Sequence, residues 1–276
     1  EILMLYGHHS SLERMFGIVK DIAQYGNMTM PDLPGFGGMD SFYKIDEKPS
    51  LDNLADYLST FIKLNYKKKR ISISGMSFGF VVISRMLQMN PELCEQVDLV
   101  ISIVGFSQKS DFKFKRKTYL LFRWCSSICS TFLVSAFLKH VILKGPVISL
   151  AYKSVADKHV KMKDADEDER KKRIKFEVFL WKCNDIRTYM DTTITMMKLD
   201  ITDIKIDKDL MHVAVDADQY FDNRRVKKHL KLIYNSVDMH KAVVPNHAPT
   251  VIATEETARA FIPKSIRQKI VKFNRS

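Results

Sequence analysis

Five residues, Gly75-Met76-Ser77-Phe78-Gly79, constrain this chain more than any other stretch. An apolar run, Ile71-Ser72-Ile73-Ser74, leads into them, and Phe80-Val81-Val82-Ile83-Ser84-Arg85-Met86-Leu87 leads out with helical patterning. Strand, Gly-x-Ser-x-Gly and helix in succession form the context of a nucleophile elbow. The turn is tight enough to strain the backbone of Ser77 and push its hydroxyl out at the end of the sheet. Two positions on either side admit only Gly or a residue nearly as small, because a larger side chain would strike the adjoining strand or helix. The N-terminus of the following helix favours negative charge at Ser77. Without that strand and helix, the same residues would read as an ordinary glycine-rich turn.

The surrounding chain alternates strand and helix. Ile2 to Tyr6 reads as a strand ending in Gly7-His8-His9-Ser10, and Ser10 with Glu13 has capping-box spacing for a helix from about Ser11 to Tyr25. Asn27 to Met30 is a second strand that opens into Pro31-Asp32-Leu33-Pro34-Gly35-Phe36-Gly37-Gly38, a loop with no helical reading. Ser50 caps a helix to about Leu64, and Val97 to Val104 is a continuous apolar run typical of a strand buried on both faces. This alternation predicts an α/β protein with a mainly parallel sheet. From Ser107 to about Leu199 it stops, and the patterning predicts helices over 119–143, 147–155 and 170–198, with a mixed-charge run over 158–175. Strands return at Leu210 to Val215 and near Lys241 to Val244, separated by a helix over 223–233, and Thr254-Glu255-Glu256 opens a last helix.

The chain has 276 residues and a net charge of +12, unevenly spread. Between Ser107 and Lys153 stand nine Lys or Arg residues and a single acid, Asp111, for a local charge of +8. Such a patch suits an anionic lipid surface or an anionic substrate. Nucleic acid is not expected, because the interleaved residues are aliphatic and no nucleic-acid motif accompanies them. Within the basic window, Trp124 to Leu138 carries no charge for fifteen residues. That is short for a membrane span. It fits a helix packed over the core, an acyl-binding roof, or an interfacial helix with basic flanks. The four cysteines form no CxxC pair or metal-type cluster, so thiols in a reducing cytosol are expected. Glu1 rather than Met stands first and a core strand begins at once, which reads as a trimmed chain whose upstream segment is out of view.

A serine hydroxyl needs a base within hydrogen-bond reach, and the base needs an orienting acid. Of eight histidines, His247 is the base candidate, since Pro245-Asn246-His247-Ala248-Pro249 is a loop after the last strand, where α/β folds present functional groups. His212 lies inside an apolar strand and reads as structural; His140, His159, His229 and His240 read as exposed. The acid belongs after the strand ending at Val215. Asp218 fits the loop best, Asp216 is the alternative, and Asp222 reads as the N-cap of the next helix. An oxyanion hole would take backbone N–H groups from Phe78, which follows the serine, and from His8 after the first strand. His8 and His9 are adjacent and project to opposite sides, so no metal site or other cofactor is expected.

These residues together resemble the α/β-hydrolase fold superfamily. The resemblance rests on Gly7-His8, on Asp32-Leu33-Pro34-Gly35-Phe36-Gly37, on the elbow, and on the chain order Ser77, Asp218, His247. It implies a hydrolase core over 1–106 and 200–276, a helical cap or lid inserted over 107–199, and two strands upstream of Ile2. Three positions depart from the superfamily pattern: Phe80 replaces a Gly or Ala, Tyr6 replaces a His, and no Gly precedes the acid. The implied activity is that of a serine hydrolase acting through an acyl-enzyme on a carboxylic ester or thioester with an apolar acyl group. A catalytically inactive binding module of the same fold, an acyltransferase and an aminopeptidase are the alternatives. A peptidase needs cap acids to hold a free amine, and only the run from Asp164 to Glu169 offers them. The expected partners are a small acyl substrate and, peripherally, an anionic membrane met by the basic cap. The expected location is cytoplasmic or membrane-peripheral, and the oligomeric state is left open.

Overall fold

The computed structural model describes residues 1–154, 165–216, 218–244 and 246–273. The described strands are β1 (Ile2–Leu5), β2 (Met28–Thr29), β3 (Ile71–Met76), β4 (Val97–Ile103), β5 (Ile206–Val215) and β6 (Tyr234–Ala242). They form one sheet in the order β2-β1-β3-β4-β5-β6. Every neighbouring pair is parallel. Strands covered on both faces read as unbroken apolar runs, and β1 and β3 are buried along their whole lengths. The register pairs Leu5 with Gly75 and Gly75 with Ser102, so β1, β3 and β4 end side by side.

Helices α1 (Leu12–Ile22), α2 (Leu51–Asn65), α3 (Phe78–Met89), a short α4 (Leu93–Gln96), α10 (Asn223–Ile233), α11 (Glu255–Phe261) and α12 (Lys264–Phe273) accompany the sheet. Between β4 and β5 lie α5 (Arg116–Cys129), α6 (Phe132–Phe137), α7 (Gly145–Ser154), α8 (Glu167–Cys183) and α9 (Ile186–Lys198), with no described strand among them. The chain thus leaves the sheet after Ile103 and rejoins it at Ile206, four residues before the strand expected from Leu210.

Several boundaries differ from expectation, each for a local reason. The helix expected over 119–143 is broken: the Ser130 and Thr131 hydroxyls donate back to the carbonyls of Ser127 and Ile128, and Thr131 turns extended. The helix expected over 170–198 divides at Asn184-Asp185. There Asp185 caps α9 by accepting from the Thr188 N–H, and its own N–H donates to the Gly35 carbonyl of the loop after β2. The last strand runs over Tyr234–Ala242 instead of 241–244. It pairs only with β5, and its exposed polar residues Asn235, Ser236 and Asp238 conceal it from a search for apolar runs. The Ser10 capping box does not form; Ser11 precedes α1 without a side-chain cap. Ser50, Asp222 and Thr254 do cap their helices. Residues 155 and 158–164 of the expected helix and mixed-charge run lie outside the described residues.

Candidate active site

The elbow has the strain its sequence demands. Ser77 has φ 52° and ψ −119°, a conformation that costs on the order of 1–3 kcal/mol unless its surroundings enforce it. They do: a Cβ on Gly75 would lie 2.5 Å from the Phe80 N, and one on Gly79 would lie 2.4 Å from the Tyr6 carbonyl oxygen. The Ser77 N–H donates to the Ile103 carbonyl at the end of β4. A Cβ on Gly7 would lie 3.1 Å from the Ser77 Cβ, so the loop after β1 passes directly over the serine. His9 (φ 52°) and Val104 (φ 48°) are also left-handed, which gathers strain at the ends of three adjacent strands.

The two departures nearest the elbow have structural solutions. The Phe80 ring stacks on Tyr234 and occupies the space above Gly105, where a Cβ would come within 2.3 Å of it. Tyr6 donates its hydroxyl to Asp32 at 2.5 Å, tying the loop after β1 to the loop after β2.

Asp218 and His247 meet as a buried pair, with His247 Nδ1 2.7 Å from Asp218 Oδ2. The other carboxylate oxygen accepts from the N–H groups of Tyr220 and Phe221 at 2.8 and 3.1 Å. Burial opposes ionisation of Asp218, but the bonds from His247 and the two backbone N–H groups outweigh it and hold the carboxyl below its ordinary range. The His247 ring packs edge-on against Tyr220 and tilted against Phe221. With Nδ1–H directed at a carboxylate, Nε2 is the nitrogen left to accept a proton. Asp216 is exposed and pairs with Lys241 at 3.1 Å, so the structure joins Asp218, not Asp216, to the histidine.

Ser77 and His247 line one cavity of about 410 Å³, within the range of small-molecule sites. Its apolar wall is Phe112, Phe114, Phe122, Met196 and Met197. The opposite character comes from His9, Arg14, Tyr152 and Glu177. Glu177, from α8, is fully buried and accepts from Arg14 Nη2 at 3.0 Å and from Tyr152 Oη at 3.1 Å, with His9 Nε2 at 3.2 Å. Arg14 also donates to the His9 carbonyl. His8 stacks on Tyr189, with Nε2 3.0 Å from the Thr192 hydroxyl, and burial with the neighbouring His9 pushes its pKa down to about 3. A neutral His8 adds no positive charge to the cavity.

Neither Arg14 nor Glu177 stood out in the sequence, although each carries a signal. Arg14 lies one turn before Ile18 and Glu177 lies midway between Ile174 and Leu180, so both interrupt buried faces of their helices. The acids expected to serve an amine-binding cap lie elsewhere. Asp166 caps α8, Glu169 pairs with Arg173, Glu167 and Asp168 are exposed, and Asp164 is outside the described residues. Trp124 to Leu138 supplies no cavity residue, which corrects the acyl-roof expectation. Trp124, Ile128, Phe132, Leu133 and Phe137 are exposed and Val134 and Leu138 are half-buried, so the stretch packs along α9 through its smaller side chains and leaves most of its large ones in solvent. His212 is buried and bonds Ser102, whereas His229 and His240 are half-buried on Asp111 and Ser265 instead of exposed. His159 lies outside the described residues. Among those described, no group of three or more His, Cys, Asp or Glu is placed to hold a metal ion.

No protein-family model matches the sequence, and neither does any curated protein. Solved structures do. A marine microorganism esterase superimposes with a TM-score of 0.66 at 16% identity, covering 99% of this chain and 94% of that one. The enol-lactonase from Burkholderia xenovorans LB400 gives 0.64 at 11% identity, covering 100% and 91%. MenH from S. aureus gives 0.63 at 14% identity, covering 100% and 94%. At such identities the likeness speaks for the fold and not for the chemistry.

Proposed function

We propose that this chain, which has the α/β-hydrolase fold, is a serine hydrolase of carboxylic esters or thioesters. The observation that carries the reading is the convergence on one cavity of a strained Ser77 and a His247 bonded to buried Asp218. Ser77 Oγ attacks the substrate carbonyl while His247 Nε2 takes its proton. Asp218 holds the imidazole in the required tautomer and stabilises the imidazolium. The N–H groups of Phe78 and His8 receive the oxyanion, with the N-terminus of α3 adding favourable potential. His247 returns the proton to the leaving group, and water, deprotonated by His247, clears the acyl-enzyme.

The insertion acts as the cap that sets specificity. Phe112, Phe114, Phe122, Met196 and Met197 give the cavity an apolar arm for the acyl group. Among the described residues the one acid that the insertion contributes to the cavity, Glu177, is held by Arg14, which favours an ester substrate over a peptide with a free amine. Labelling with a fluorophosphonate probe followed by peptide mass spectrometry tests the proposal. An adduct on Ser77 that disappears in Ser77→Ala and His247→Ala supports it; a folded wild type without adduct sinks it and favours a binding module. On an ester panel from acetyl to octanoyl, turnover rises toward longer chains; a steady fall would exclude the apolar acyl arm.

A further inference from the structure

The insertion carries an exposed apolar surface that, Phe122 apart, lines no part of the cavity. On α5, Lys117, Leu121, Trp124 and Ile128 follow helical spacing along one face, and all four are exposed. On α6, Phe132 is 68% exposed, Leu133 78% and Phe137 54%. Val141, Ile142, Val147 and Leu150, which follow in the chain, are exposed as well. Water-facing apolar groups in this number mark an interaction site.

Charge identifies the partner. All nine Lys and Arg residues between 107 and 153 are exposed, at positions 109, 113, 115, 116, 117, 123, 139, 144 and 153. The single acid of the window, Asp111, is buried and engaged by His229 and the N–H groups of Ser107 and Gln108. Among the described residues none of the nine forms an ion pair, so the surface sets basic charge around exposed aliphatic and aromatic side chains, the composition of an interfacial helix on an anionic bilayer. No single helix among the described residues is long and apolar enough to cross a membrane, and α5 meets the Phe132–Ile142 stretch at 88°. Two helices so bent suit lying along a surface. Phe122 belongs to both settings, being 45% exposed and a cavity-lining residue.

We propose that α5 and α6 dock the protein onto anionic lipid bilayers, with the cavity opening toward the membrane past Phe122. Docking does not depend on the chemistry at Ser77, so it is tested on the full chain carrying Ser77→Ala. Flotation with vesicles of phosphatidylcholine alone is compared with vesicles containing about one-third phosphatidylserine. The expected result is binding at least about tenfold stronger to the anionic vesicles and markedly weakened by about 0.5 M KCl. Phe132→Asp with Leu133→Asp, at positions outside the cavity, abolishes flotation in a protein whose far-ultraviolet circular dichroism and soluble-ester turnover (measured with Ser77 intact) are unchanged. Lys115→Glu with Lys117→Glu weakens it independently. Failure to float with anionic vesicles overturns the proposal, as does binding that survives the Phe132 and Leu133 substitutions. Dimers abolished by those substitutions, without vesicle binding, would overturn it in favour of a second copy on this face.

Discussion

Asp216 and Asp218 stand two residues apart, and the chain sets them in opposite environments. Asp216 is solvated and pairs with Lys241, an arrangement worth about 0–1 kcal/mol. Asp218 is buried, takes two backbone N–H bonds and faces His247. On the proposed mechanism, Asp218→Asn reverses the preferred tautomer of His247 and lowers kcat/KM for a fluorogenic ester by on the order of 10³–10⁴. Asp216→Asn leaves that rate within about twofold. Equal losses in the two variants would break the assignment. The elbow was legible in the sequence because its constraint is steric and local: five residues specify a turn that only glycines at 75 and 79 permit. The acid was less legible, since strand pattern places a loop but not the direction of a carboxylate within it. The burial of His229 is hidden for a related reason, because its partner, Asp111, lies 118 residues away.

Elements follow the same rule at longer range. Strands β1, β3 and β4 announce themselves because both faces are buried, whereas β6 does not because its solvent side is polar. The breaks at Ser130-Thr131 and Asn184-Asp185 escape a search for apolar periodicity, because the apolar residues continue across them; the hydroxyl and carboxylate caps carry the information. Helix α8 shows what an element can hide. Glu177 joins the insertion to α1 through Arg14, with both side chains almost wholly buried. Breaking such a pair strands a buried charge, so Glu177→Gln lowers unfolding free energy by about 3–5 kcal/mol in urea titration. Arg14→Met combined with Glu177→Leu recovers much of that loss, since apolar replacement of a buried pair is often neutral or better. If the single substitution costs less than about 1 kcal/mol, the pair does not hold the insertion to the core.

At the scale of the whole molecule, the parallel sheet fixes where polar groups can be tolerated, and His212 is the clearest case. It lies in β5 beside β4, is 1% exposed, and bonds Ser102 through Nδ1 at 2.9 Å. Burial pushes its pKa down to about 4, with the nearby Asp218 opposing the shift and His240 adding to it. Unfolding releases the ring to water, where it protonates near pH ~6.5. As the pH falls below that value, the unfolded chain takes up a proton that the folded protein refuses. The stability contributed by a neutral His212 is therefore complete above about pH 6.5 and is lost progressively down to about pH 4. The slope from this one group approaches ~1.4 kcal/mol per pH unit in the middle of that window. Chemical denaturation of wild type and His212→Asn at pH 7 and pH 5 isolates it, because the variant retains a hydrogen-bonding side chain opposite Ser102 but does not titrate there. The wild type loses more stability than the variant between the two pH values, by about 1–2 kcal/mol. Equal losses would mean that His212 protonates within the folded sheet, and that β4 and β5 open to water without unfolding.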